Sequence, residues 1–191
     1  ATLELMVERA IAMAKDAPQD KHAGLASVNQ LAKQRDLSEL EICDPATEPS
    51  PNKLQEQAEI AESSAMEVVG VSQVSGASAS YGKYSVFMAA SNGFTANYDR
   101  SSNSVSCVAI AGEGSSMERD YDADTRVYRS DLRPSDEIGR TAGMRAVERL
   151  NPRRPATGNY PVIYDERISS GLVGHFLSAI NGAAITRGSS W

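Results

Sequence analysis

Apolar residues recur at helical spacing near the start of the chain. Leu3, Met6/Val7, Ala10/Ile11 and Met13/Ala14 form one stripe, with Glu4, Glu8 and Lys15 outside it. The pattern predicts an amphipathic helix over residues 2–16 that Pro18 ends. Residues 18–50 carry only short apolar pieces around Leu25, Val28, Leu37, Leu40 and Ile42. The run Asp44-Pro45-Ala46-Thr47-Glu48-Pro49-Ser50-Pro51 is rich in chain breakers and reads as a surface connection. Ser50 before Pro51 marks a helix start, with a hydroxyl cap and proline at the first helical position. Leu54, Ala58, Ala61 and Ala65 then give a thin, alanine-rich stripe, which predicts close packing against a sheet.

From about residue 67 the period changes to two. Val69, Val71 and Gln73 oppose Val68, Gly70 and Ser72, and residues 84–89 and 105–110 read as further strands. Asn92-Gly93 predicts a two-residue hairpin turn with positive φ at both positions, and residues 94–98 return from it. Gly112-Glu113-Gly114 turns the chain, and a last strand runs from Met117 to about Tyr128. Four or five strands with short turns make an antiparallel meander, one face of which is wetted by Ser, Thr and Asn. Ser135-Asp136-Glu137 opens a helix with acids in its first turn and a buried stripe of Ile138, Ala142, Ala146 and Leu150, ended by Asn151-Pro152. Tyr160-Pro161-Val162-Ile163-Tyr164 reads as a strand. A final helix runs from near Glu166 to Ile180 and closes on Asn181-Gly182 as a left-handed cap. The expected fold class is α+β, an antiparallel β-meander packed with helices. Residues 1–66 are expected to form a helical segment with a flexible connection near 44–51. Residues 67–191 are expected to add the sheet and two helices within the same domain.

Composition narrows the function classes. Of 191 residues, 41% are hydrophobic and 23% charged, ordinary values for a globular chain. Nineteen Lys and Arg against 25 Asp and Glu leave a net charge of -6. That balance disfavours phosphate-backbone binding, and the few aromatics offer no stacking platform, so no nucleic-acid partner is expected. No apolar run approaches the roughly 18 residues that span a bilayer, so no membrane role is expected either. Ala1-Thr2-Leu3 carries no signal-peptide pattern and no initiator Met, and the chain stops at Gly188-Ser189-Ser190-Trp191, as a part of a longer protein would. Cys43 and Cys107 lie far apart, outside any metal-ligand spacing, and read as free thiols of a reducing cytoplasm.

Three constellations are candidates for chemistry. Asp120, Asp122 and Asp124 with Asp131 at the twelfth position mimic a calcium loop. However, the sixth position is Thr125 rather than Gly, the twelfth is not Glu, and the context is a strand. On a strand, Glu118, Asp120, Asp122 and Asp124 share a face, and the expectation is a solvated acidic stripe, with a polar binding face as the alternative. Of the two histidines, His22 reads as a surface residue. His175, among apolar neighbours, reads as hydrogen-bonded and partly buried; two histidines fall short of the three protein ligands usual for zinc. Ser170 stands near His175, but five helical positions separate them by about 140° around the axis, so they cannot pair for nucleophilic catalysis. Gly112-Glu113-Gly114 carries an acid where a phosphate would sit, and no helix follows it.

Met117-Glu118-Arg119-Asp120-Tyr121, Pro161-Val162-Ile163-Tyr164, the run from Gly171-Leu172-Val173-Gly174-His175-Phe176 to Asn181-Gly182, and Arg187-Gly188-Ser189-Ser190-Trp191 resemble the TldD/PmbA family. The match is to its PmbA (TldE) branch, long labelled modulator of DNA gyrase. The resemblance covers most of the chain and is most specific from Met117 to Trp191. It implies a PmbA/TldD-like N-terminal domain, in a chain without the family's additional N-terminal segment and C-terminal domain. It also implies a cytoplasmic two-subunit zinc peptidase acting in peptide maturation or proteolysis, with a TldD-like partner and a peptide substrate; self-association stays open. TldD-like subunits carry H-E-x-x-x-H on a helix. Laying the second His on His175 puts Ser170 at the first and Gly171 at the general-base Glu. Serine is a poor zinc ligand, and glycine cannot polarise a metal-bound water. The resemblance therefore implies a non-catalytic subunit with no catalytic, cofactor-binding or metal residue of its own, the zinc residing in the TldD-like partner. The alternatives are a peptide-binding or scaffold module and an independently active metallohydrolase.

Overall fold

The structure, a computed structural model, describes residues 2–18 and 24–190, so His22 and Trp191 lie outside the described residues. The elements are α1 (Leu3–Asp16), α2 (Pro51–Met66), β1 (Val71–Ala89), β2 (Thr95–Ala111), β3 (Glu118–Arg126), α3 (Ser135–Glu148), α4 (Glu166–Ala179) and α5 (Gly182–Thr186). They fall into two compact units divided between Pro152 and Arg153.

In the first unit the three strands form one antiparallel sheet in the order β1-β2-β3, which makes the chain α+β as expected. The expected four or five strands are three, because the small and polar residues that suggested breaks pair without interruption from Gly76 to Ala89, the register shifting only near the start of β1, around Ser72 and Ser75. Ala77 faces Cys107, Ser80 faces Ser104 and Lys83 faces Ser101 along one ladder. Buried Ser101 and Asn103 survive inside β2 because both donate to the carbonyl of Val127, at 3.1 and 2.8 Å. The Asn92-Gly93 turn is present in a different form. Only Gly93 takes positive φ, at 86°; its N–H donates to Ala90 O, and Ala90 N–H donates to Phe94 O. The loop is therefore a tight turn closed by a left-handed glycine, with Asn92 Oδ1 accepting from Phe94 N–H.

Helices α2 and α3 cover one face of the sheet. Ser50 Oγ accepts from Lys53 N–H and Pro51 occupies the first turn, as its sequence requires. Between helices and sheet lies a core of small residues: Ala61 and Ala65, Ile138, Ala142 and Ala146, and Val105, Cys107, Ala109 and Ala111. Small side chains let the helices approach closely. A Cβ on Gly139 would stand 1.9 Å from the Ala61 carbonyl oxygen. Burying Ile138, the largest of these side chains, contributes about 2 kcal/mol. Downstream, Leu150 is half-buried against the core and Asn151 takes φ 57° as the chain leaves α3.

Two apolar expectations are not met by burial. Every residue of α1 is exposed, so its stripe finds no cover among the described residues. Residues 160–164 are not a strand: Pro161 lacks a donor, no neighbouring strand pairs with them, and Ile163 is 96% exposed. In the second unit, α4 ends at Ala179. Asn181 is no left-handed cap but the N-cap of α5, its Oδ1 accepting from Ala184 N–H at 3.1 Å.

Candidate functional site

The acidic stripe on β3 is not solvated. Asp120, Asp122 and Asp124 are 6%, 3% and 9% exposed, because this face of the strand is the one that α3 covers. Each carboxylate meets arginine. Arg149 Nε donates to Asp120 at 2.6 Å. Arg145 Nη1 and Arg133 Nη2 donate to the two oxygens of Asp122 at 2.6 and 2.7 Å. Asp124 takes the Arg133 N–H at 2.9 Å and pairs with Arg126 at 3.0 Å. Burial by itself would raise the Asp124 carboxyl. The Arg133 N–H, the Arg126 guanidinium and both positive charges outweigh it and hold the group below its ordinary value. Oxygens engaged by guanidinium are not presented to a cation. Asp131 sits apart in the Arg129–Asp131 turn beside Ser130 Oγ, and Thr125 donates to Ser104 Oγ. The expected solvated stripe and its polar-face alternative both give way to a ladder of buried carboxylates, each paired with a partly exposed arginine.

Helix α4 opens with Asp165 accepting from Arg167 N–H and runs regularly through Ser170, Gly171 and His175. All three are exposed, so His175 is not the partly buried residue its neighbours suggested. The helix offers a hydroxyl, a hydrogen and one imidazole where a zinc helix needs two imidazoles and a carboxylate. That donor set does not fit a catalytic zinc. Among the described residues no three His, Cys, Asp or Glu side chains gather in a way that could hold a metal. Both cysteines are free thiols. Cys107 is fully buried, and its thiol is pushed up to about 11 by desolvation first and then by the charges of Glu62 and Asp122.

One feature had no signal in the sequence. Strand β2 is paired by β1 from Thr95 to Ala111 but by β3 only from Asn103 onward. Beside its unpaired half lies a cleft of about 480 Å³. The cleft is walled by residues 35–38 and 41–43 on one side and by Asn97, Tyr98 and Asp99 on the other, with Tyr128 also in its lining. Two anchors frame it: Ser101 N–H donates to Ile42 O at 3.1 Å, and Arg35 Nη1 donates to Thr95 O at 3.2 Å. Arg35 is further fixed over the Phe94 ring, 5.2 Å from its centroid. Beyond the Ser101 end, Asp44 is pinned by Arg129 N–H at 2.9 Å and Ala46 N–H at 2.8 Å, which lower its carboxyl below the ordinary value, and its own N–H donates to Ser101 Oγ at 2.7 Å.

Residues 42–150, the sheet with its two covering helices, match the family model described as the PmbA/TldA metallopeptidase central domain. The chain belongs to the PmbA/TldA family. Over 188 residues it is 33% identical to metalloprotease PmbA of Escherichia coli, a match covering 97% of this chain and 41% of that protein. The crystal structure of a protein described as a modulator of DNA gyrase from Bacteroides thetaiotaomicron superposes with a TM-score of 0.83 at 25% identity, over 97% of this chain and 42% of that one. TldE from Thermococcus kodakarensis shares the fold, with a TM-score of 0.63 at 16% identity, over 96% of this chain and 41% of that one. The PmbA/TldA chain thus spans about two fifths of the length of the curated relatives it matches. Among the described residues no helix is long and apolar enough to cross a membrane.

Proposed function

We propose that the chain is the central portion of a PmbA/TldE-type subunit that is itself non-catalytic. In this reading it works in a cytoplasmic heteromeric zinc peptidase whose metal is carried by a TldD-like partner and whose substrate is a peptide. The observation that carries the reading is the Ser170 and Gly171 pair on α4, where a working relative needs a zinc ligand and a general base. The relative named metalloprotease PmbA supports a peptidase setting, and the likeness to TldE supports the fold of this branch. A gyrase connection through direct DNA contact finds no support in a net charge of -6.

The test uses the full-length protein, assayed alone and together with a TldD-like subunit. The reading expects peptide cleavage only in the mixture, unchanged by His175→Ala. Cleavage by the purified protein alone, blocked by a chelator and lost in His175→Ala, overturns it. Failure to associate with any TldD-like subunit favours the scaffold alternative.

A further inference from the structure

We propose that the unpaired edge of β2 at Asn97–Asp99 is a binding lane for an extended peptide segment carrying a basic side chain. In an antiparallel pair, alternate residues direct both N–H and C=O to the same side. Thr95 O and Ser101 N–H both point away from β1, as their bonds to Arg35 and Ile42 show. Asn97 and Asp99 lie between them in the same phase, so their N–H and C=O groups also face away from β1, into the cleft. This is the lane that β3 occupies further along and leaves after Arg126. Between the occupied ends at Thr95 and Ser101, the third-strand position is vacant along Asn97 and Asp99, about 7 Å apart at ~3.4 Å per residue.

An added strand would satisfy these groups through main-chain bonds, a recognition mode with little demand on sequence. The lining supplies the preference. Asp36, Glu41 and Asp99 border the cleft against a single cation, Arg35, whose guanidinium already serves Thr95 O. Asp36 is held ionised below the ordinary value by hydrogen bonds from Ser38. Such a wall favours lysine or arginine on the guest over an acidic residue. The anchors bound the vacant stretch at each end and tie its walls to β2, which limits the ordering cost of binding. For its class of ligand this inference rests on the peptide-handling reading above; its geometry does not.

The test uses full-length protein without its partner and a fluorescein-labelled Ala-Val-Lys-Val-Ala with blocked ends. Asn97→Pro removes an N–H that points away from β1, so the β1–β2 ladder is kept, and Asn97→Ala, which keeps the N–H, accounts for the lost side-chain amide and should bind as the parent does. The expected result is binding weakened about tenfold by Asn97→Pro, or by N-methylating alternate amides of the probe, with the melting temperature unchanged. Hydrogen exchange should show the amides of Asn97 and Asp99 protected only when probe is present. Replacing the probe lysine by glutamate should also weaken binding, and the double variant Asp36→Asn, Glu41→Gln should erase that preference. Equal binding of parent and N-methylated probes overturns the proposal, as does no binding. Protection of the two amides without probe also overturns it, by showing the lane filled by the protein's own chain. Loss of the lane with partner-dependent cleavage intact would leave the non-catalytic reading standing, and the reverse outcome would leave the lane.

Discussion

Gly139 shows how one hydrogen atom sets a distance. The Ala61 carbonyl lies where a Cβ would go, and the clash is with backbone, which cannot swing aside. Gly139→Ala should therefore cost about 1–3 kcal/mol as α2 and α3 are forced apart, read as a lower midpoint in urea; an unchanged midpoint would show that the helices do not meet there. The carboxyls of Asp44 and Asp124 make a second prediction. Both are held below their ordinary value near 3.8, so each stays ionised in the folded chain at a pH where the unfolded chain has begun to take up protons. Their stabilisation is complete above that value and is lost as pH falls through the depressed folded values. The melting temperature should drop below about pH 4, and less steeply in Asp44→Asn. At this scale the sequence was readable where chemistry is local: Ser50 and Pro51 announce their helix. It was not readable at Asp120, Asp122 and Asp124, whose fate depends on what covers them.

Strand β3 and helix α3 explain why. Arg145 and Arg149 are four residues apart on a helix, about 6 Å of rise, while Asp122 and Asp120 are two apart on a strand, about 6.8 Å. The two spacings match, so antiparallel packing brings both pairs into register. The signal was in the sequence, but only as a correspondence between elements 23 to 29 residues apart. Asp122→Asn should remove the buried carboxylate that Arg133 and Arg145 share, leaving them Glu137 and main-chain oxygens. Because those side chains keep 32% and 24% exposure, the cost should be about 2 kcal/mol rather than the ~3–5 of a fully enclosed pair. Arg140→Ala, which breaks only the exposed pair with Asp136, should cost under about 0.5 kcal/mol. Equal effects in chemical denaturation would contradict the buried ladder. The long β1–β2 hairpin was legible at its turn and in its apolar pieces. Its middle was not, since serines and glycines mark loops unless a neighbouring ladder satisfies them.

For the whole molecule, the fold class was legible because period-two runs and amphipathic helices separate cleanly along the chain. The cleft beside β2 was not, because it arises from where β3 ends relative to β2 and from a segment of weak pattern around Arg35 and Glu41. The chain spans about two fifths of its curated relatives, so the activity of the complete protein has to be tested on the complete protein. The central claim is that Ser170 and Gly171 leave α4 without the means to hold and use zinc. The most direct measurement is the metal content of each subunit in the purified full-length complex, by native mass spectrometry with subunit release. The account predicts one zinc ion with the TldD-like subunit and none with this one; stoichiometric zinc retained by this subunit, and lost on His175→Ala, would contradict it.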